Sequence, residues 1–148
     1  MTLDILEQPQ AESAQADKRQ TILIVDDDEV LADALSQRLV QQGFDTLTAD
    51  CGRQGLEKAQ SERPALIVLD VRLPDMDGLT ICQQLGDSPE TCGIPVIILS
   101  GMARPDIIRR SRAAGCYYFV RKPYDPNALL VLIRQAIRES AGWARRED

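Results

Sequence analysis

Four polar stretches could share one chemistry: Asp26-Asp27-Asp28, Asp70, Ser100 and Lys122, each placed just after an apolar run. Carboxylates gathered in one place raise one another's pKa and cost stability unless a cation intervenes. An all-oxygen ligand set suits magnesium, which typically binds through one or two carboxylates, keeps several waters and leaves room for phosphate oxygens. Phosphoryl transfer at such a site needs three further parts: an in-line nucleophile, positive charge on the equatorial oxygens and a hydrogen-bond donor. Asp70 can be the nucleophile, because carboxylates form aspartyl phosphates. Lys122 supplies a compact point charge, and the Ser100 hydroxyl can donate to a phosphoryl oxygen. The chain contains no histidine, which removes His-dependent triads and any phosphohistidine carried on the chain itself.

Taken singly, each residue has a plainer reading. An Asp after a strand is often only a helix N-cap, a Ser often caps, and a Lys is usually solvated. Position gives the set its weight. Short apolar runs near 21–26, 44–49, 65–70, 94–99 and 116–120 read as strands, each followed by a helical pattern. Ile22-Leu23-Ile24-Val25, Leu66-Ile67-Val68-Leu69 and Val96-Ile97-Ile98-Leu99 are continuous, as expected of parallel strands covered on both faces. Thr46-Leu47-Thr48 alternates, which fits an edge strand. Leu31, Ala34, Leu35 and Leu39, and later Leu129, Leu132, Ile133, Ala136 and Ile137, repeat with helical spacing. The last helix is expected to open at Asp125-Pro126. Five βα units in so short a chain predict an open, doubly wound α/β sheet, whose ligands bind outside the carboxyl ends of the strands. If the first and third strands are neighbours, Asp26, Asp27 and Asp70 converge there.

A length of 148 residues suits one domain, and 44% apolar with 27% charged residues is an ordinary globular composition. No apolar run approaches the roughly 20 residues needed to cross a bilayer. The N-terminal stretch resembles neither a signal nor a transit peptide, so a cytoplasmic location without membrane attachment is expected. Residues 1–19 read as a flexible polar arm, 20–141 as the folded domain and 142–148 as a short tail. Residues 1–103 carry a net charge of −11 and residues 104–148 a net +5. Cys51, Cys82, Cys92 and Cys116 form no CxxC pair and read as reduced, mostly buried thiols.

ILIVDDDEV, VLDVRLPDMDGL, VIILSG and FVRKP resemble, in order and spacing, the four signature segments of response-regulator receiver domains of two-component signalling. The resemblance covers about residues 21–140. It implies a flavodoxin-like (βα)5 three-layer sandwich with parallel strand order 2-1-3-4-5. It also implies magnesium, or manganese in its place, bound directly by Asp27 and Asp70, through water by Asp26, and by the Arg72 backbone carbonyl. Asp70 would be the phosphoacceptor, Ser100 the switch hydroxyl, Lys122 the phosphate partner and Phe119 the switch aromatic, with a cis bond before Pro123. The donor would be a sensor histidine kinase or phosphotransfer protein. Such a module is a signalling protein rather than an enzyme, catalysing only its own phosphorylation and dephosphorylation.

The family's usual output face, formed by the fourth helix, fifth strand and fifth helix, would offer Arg104, Arg109, Arg110, Arg121, Arg134 and Arg138 to an unknown downstream protein. A phosphorylation-dependent dimer is open. The short stretch after the last helix suggests a stand-alone module without direct DNA binding. Arg72 and Met102 occupy positions that tune phosphoryl hydrolysis in this family, so slow loss is expected, while Gly101 stands where the family favours Ala. A rival reading takes Asp26-Asp27-Asp28-Glu29-Val30 as the DxDx[TV] motif of haloacid-dehalogenase-type phosphatases, with Asp26 as nucleophile. That reading leaves VLDVRLPDMDGL unexplained and finds no acidic motif after Lys122.

Overall fold

The computed structural model describes residues 19–102 and 104–147. Most of the expected N-terminal arm, residues 1–18, therefore lies outside the described residues. Five strands alternate with five helices. They run β1 (Thr21–Val25), α1 (Glu29–Gln41), β2 (Asp45–Ala49), α2 (Gly52–Glu62), β3 (Leu66–Asp70), α3 (Gly78–Asp87), β4 (Val96–Ser100), α4 (Pro105–Ala113), β5 (Tyr118–Arg121) and α5 (Pro126–Glu147).

All strand pairings are parallel, in the order β2-β1-β3-β4-β5. This is the flavodoxin-like, doubly wound arrangement, with the expected neighbours at the centre. The continuous apolar runs of β1, β3 and β4 are buried on both sides. Ile22, Ile24, Val68, Ile97 and Leu99 face α1 and α5, which contribute Leu35, Leu39, Leu129, Ile133 and Ala136. Leu23, Val25, Ile67, Leu69 and Ile98 face the opposite layer, where α2 and α3 contribute Ala59, Leu79, Ile81 and Leu85. Each large aliphatic side chain removed from water in this way contributes about 1.5–3 kcal/mol. β2 sits at an edge and is only partly buried, as its alternation requires.

The strand ends differ from the expectation in a way that matters for the site. β1 stops at Val25, β4 begins at Val96 after Pro95 and runs to Ser100, and β5 is the four-residue Tyr118–Arg121. Proline has no N–H for the ladder, which delays the start of β4. α1 is capped by the Asp28 carboxylate, which accepts the Leu31 N–H at 3.2 Å. α3 is capped by Asp77, which accepts from Leu79 N at 2.8 Å. At the start of α5, Asp125 accepts the Asn127 N–H at 3.1 Å and Pro126 takes the first helical position. α5 continues through Glu147, so residues 142–147 prolong the last helix. None of the described helices is long and apolar enough to cross a membrane.

The thiols are less uniformly interior than expected: Cys82 is buried, Cys51 and Cys116 are intermediate and Cys92 is exposed. Burial pushes the Cys82 thiol up to about 12, the neighbouring Cys116 adding to it. Its Sγ–H donates to the Ala114 carbonyl at 3.4 Å. Because the thiolate is the nucleophile, native protein at pH 8 is expected to alkylate first at Cys92, with Cys82 reacting only after denaturation. Equal labelling rates at the two positions, read by peptide mass, would contradict this packing.

Candidate functional site

The alternation of a parallel strand with its helix leaves the carboxyl end of every strand at the same edge, and the polar residues named from sequence collect there. Asp26 follows β1, its N–H bonded to the Ala49 carbonyl at the end of β2 at 3.0 Å. Asp70 closes β3 opposite Leu99 of β4, and Ser100 closes β4 opposite Arg121 of β5. The Lys122 N–H then donates to the Ser100 carbonyl at 2.8 Å, which ties the lysine to the same corner. The Lys122–Pro123 peptide is cis.

These side chains line one cavity of about 410 Å³, together with Asp27, Arg72 and Met102. One carboxylate oxygen from each of Asp26, Asp27 and Asp70 lies within 4.8 Å of the other two. Lys122 Nζ donates to Asp70 Oδ2 at 3.0 Å and to Asp26 Oδ2 at 3.2 Å. The second oxygens are held by the backbone: Asp26 Oδ1 accepts from Asp28 N at 3.0 Å and Asp70 Oδ1 from Arg72 N at 3.2 Å. Asp26 and Asp70 are buried, 5% and 8% exposed, whereas Asp27 is exposed.

The cluster is therefore short of positive charge, with three carboxylates around one ammonium. Burial pushes the Asp70 carboxyl above its usual range; Lys122 and the Arg72 N–H oppose this, and the Asp26 charge adds to it. For Lys122, burial works against the charged form, but the Asp70 and Asp26 carboxylates outweigh it and hold the ammonium above its ordinary pKa. Burial thus favours the neutral form of the Asp70 carboxyl, while the two carboxylates keep the Lys122 ammonium charged. Hard oxygen donors, an excess of negative charge and an adjoining cavity fit a small divalent ion such as magnesium better than a soft or imidazole-loving metal.

Around the rim, Ser100 Oγ donates to the Met102 carbonyl and accepts the Met102 N–H, each at 3.0 Å, so its hydroxyl is engaged with its own loop. Arg72 Nη2 donates to Met102 Sδ at 3.0 Å, laying a guanidinium along the cavity mouth. Phe119 is half-buried against the core layer to which α2 and α3 contribute. Of the six arginines named for an output face, Arg134 packs away from it. Arg104 pairs with Asp106 at 3.7 Å, and Arg110 reaches across to Asp77 at 3.7 Å. Arg109 and Arg121 are exposed. Arg134 stacks 5.3 Å over the Phe44 ring, donates to Gln42, and shares with Arg138 and Arg19 a groove at the opposite end of the sheet. The inward stripe Leu129-Ile133-Ala136 sets this orientation, since it leaves 134 on the flank beside the α1–β2 corner.

Sequence reasoning missed one prominent contact. Asp75, in the loop between β3 and α3, accepts the Gly52 N–H at 2.7 Å and the Arg53 N–H at 2.9 Å. Nothing local signals this, because the partners lie 23 and 22 residues earlier.

Comparison with known proteins agrees with the geometry. The family model described as "Response regulator receiver domain" matches residues 22–134. The chain is 35% identical over 123 residues to the DNA-binding response regulator MtrA of Mycolicibacterium smegmatis, covering 82% of this chain and 52% of that protein. It is 33% identical over 119 residues to the alkaline phosphatase synthesis transcriptional regulatory protein PhoP of Bacillus subtilis, covering 80% and 49%. The chain thus spans about half the length of these curated relatives. Among solved structures, a CheY-like response regulator receiver domain protein from Methanospirillum hungatei superposes with a TM-score of 0.80 at 30% identity, over 84% of this chain and 98% of that one.

Proposed function

Because this chain belongs to the response-regulator receiver family, we propose that it accepts a phosphoryl group on Asp70 from a phosphohistidine of a partner kinase or phosphotransfer protein. The observation that carries the reading is the convergence of Asp26, Asp27 and Asp70 around Lys122 at the carboxyl edge of the sheet. Asp27 and Asp70 would hold magnesium directly, Asp26 through water, and the Arg72 carbonyl would complete the protein's share. When bound, the ion supplies charge that offsets the developing negative charge on the phosphoryl oxygens.

The chain's own groups do the rest. Asp70 Oδ2 attacks phosphorus, an O–P bond forms as the donor's N–P bond breaks, and the imidazole, already protonated on its other ring nitrogen, keeps the bonding pair and leaves neutral. Lys122, already 3.0 Å from Asp70 Oδ2, follows the charge onto the phosphoryl oxygens. Asp70 is itself only 8% exposed, which limits the water that reaches its carboxyl carbon. Beside the site, the exposed apolar side chains Val30 and Leu31 and the cavity over Leu35, Pro123 and Tyr124 provide a contact for the donor protein.

Phosphorylation adds close to one negative charge and strong acceptors. Ser100 Oγ would exchange its Met102 partners for a phosphoryl oxygen, and Phe119, which has no hydroxyl, would repack into the space released. The altered α4–β5–α5 surface would be read by a downstream protein, with Arg109 and Arg121 its most available charges. MtrA is a DNA-binding response regulator by name.

The test is incubation of the chain with acetyl phosphate and magnesium chloride, followed by intact mass. A gain of about 80 Da, one phosphoryl group, that disappears when EDTA replaces the magnesium is expected. No gain on protein shown by calorimetry to bind magnesium would overturn the reading. The lifetime of the adduct is a separate expectation. Arg72 and Met102 lie across the approach of a hydrolytic water, so the adduct should persist for minutes or longer at neutral pH. An Arg72→Ala, Met102→Ala variant should lose it faster, and loss from wild type within seconds would refute the obstruction.

A further inference from the structure

We infer that Asp75 is a positioning residue for the cation site, holding the loop that carries the Arg72 carbonyl by clamping the N-terminus of α2; this rests on the proposed phosphoacceptor reading. The loop from Val71 to Asp77 leaves the sheet at Asp70 and returns as α3. Its base is closed by the Gly78 N–H, which donates to the Val71 carbonyl at 2.8 Å, and by the antiparallel bridge between Arg72 and Asp77. Those contacts, with the Arg72 N–H on Asp70 Oδ1 and Leu73 packed against the core, hold the part of the loop next to the sheet.

The tip is fixed from outside. α2 has no cap of its own: the Cys51 side chain makes no capping hydrogen bond, and the first turn holds no acidic residue. A helix start leaves backbone N–H groups unsatisfied and carries partial positive charge. Asp75 meets both needs, one carboxylate oxygen on Gly52 N and the other on Arg53 N, at 2.7 and 2.9 Å. These two N–H groups hold the Asp75 carboxyl below the usual carboxylate range. The next residue, Met76, lies against Gly52 so closely that a Cβ there would come within 2.3 Å of Met76 Cγ. Residues 75 and 76 thus form a two-point anchor on the first turn of α2.

The consequence is a route from α2 to the cation site that touches no ligand. Arg72 lies three residues before the anchor, and its carbonyl opens the stretch of backbone that runs from the held Arg72 N–H to the tip at Asp75. With the tip released, the Arg72 carbonyl samples orientations away from the three carboxylates, and the cation loses one preorganised oxygen. Groups that orient metal ligands from outside typically change affinity by about 10–100-fold when removed; the lower end is expected here, because the effect passes through the loop.

The experiment uses the chain of residues 1–148 with magnesium chloride as the probe. Calorimetry reads magnesium affinity, and amide hydrogen exchange reads Gly52 and Arg53. Asp75→Ala should speed exchange at both amides and weaken magnesium binding by about 10-fold. Asp75→Asn keeps one acceptor oxygen and should fall between it and wild type. The decisive variant adds Cys51→Ser to Asp75→Ala, giving α2 a cap of its own. It should recover thermal stability and slow exchange in α2 while magnesium stays weak.

Magnesium affinity unchanged in Asp75→Ala, or restored by Cys51→Ser, would overturn the positioning role and leave Asp75 a helix cap alone. Wild-type protein that binds no magnesium would instead sink the phosphoacceptor reading, and this inference with it.

Discussion

Asp70→Asn is expected to remain at its unmodified mass after treatment with acetyl phosphate and magnesium, while wild type gains about 80 Da. The substitution is nearly isosteric and keeps an acceptor for the Arg72 N–H that now bonds Asp70 Oδ1 at 3.2 Å. What it removes is the ionised oxygen 3.0 Å from Lys122 Nζ, and an amide is not a nucleophile toward phosphorus. Loss of modification should therefore be complete, with the thermal midpoint within a few degrees of wild type. Asp26→Asn is the informative partner, because Lys122 contacts both carboxylates. It should accept phosphoryl more slowly than wild type yet still reach the modified mass. If instead Asp26→Asn stayed unmodified and Asp70→Asn gained mass, the nucleophile would be Asp26, as the phosphatase-type reading requires.

The largest stability effect is expected at Gly78, a residue with no chemistry to offer. A Cβ at this position would stand 2.3 Å from the Asp70 carbonyl oxygen and 2.8 Å from the Val71 Cα. Both neighbours are backbone, so neither can swing aside as a side chain would. Gly78→Ala should cost about 3 kcal/mol, the upper part of the range for overpacking, out of a total of about 5–15 kcal/mol for a domain. A urea titration with an unchanged slope and a lower midpoint would show it. The strain falls on Asp70 itself, so the variant that remains folded should also be phosphorylated more slowly. Gly86→Ala, later in the same helix, provides the control. Nothing lies within 4 Å of its added Cβ, so it should be neutral or stabilise by up to about 1 kcal/mol. A Gly78→Ala midpoint equal to that of Gly86→Ala would show that the β3–α3 junction yields more readily than its contacts imply.

The two substitutions illustrate different kinds of legibility. Asp70 could be found from the chain alone because three signals coincide on it: residue type, the end of an apolar run, and a spacing that alternates strand with helix. The same signals mark Asp26, Ser100 and Lys122. Parallel βα units repeat one geometric step, so a residue that ends a strand in sequence ends it at one common edge in space. Most of the site and the layer order follow from that regularity. Gly78 is legible only as part of a motif; its need to lack a side chain arises from the return of α3 against β3, seen only when the two are packed.

The arginines mark the other limit. Arg134 and Arg138 share α5 with the expected output surface, but the side of α5 they occupy depends on which residues the sheet and α1 bury. Helical periodicity identifies a buried stripe without saying which flank meets which neighbour.

Local chemistry in the chain was enough to fix the class of fold, the edge where ligands bind and the carboxylates that meet there, because each depends on patterns only a few residues long. Assembly added the Asp75 clamp on α2, the Arg72–Met102 cover, the Ser100 hydroxyl turned into its own loop and the flank taken by Arg134. Every one of these joins groups brought together by packing rather than by proximity along the backbone or by a repeating period, and such pairings carry no signature in a linear chain.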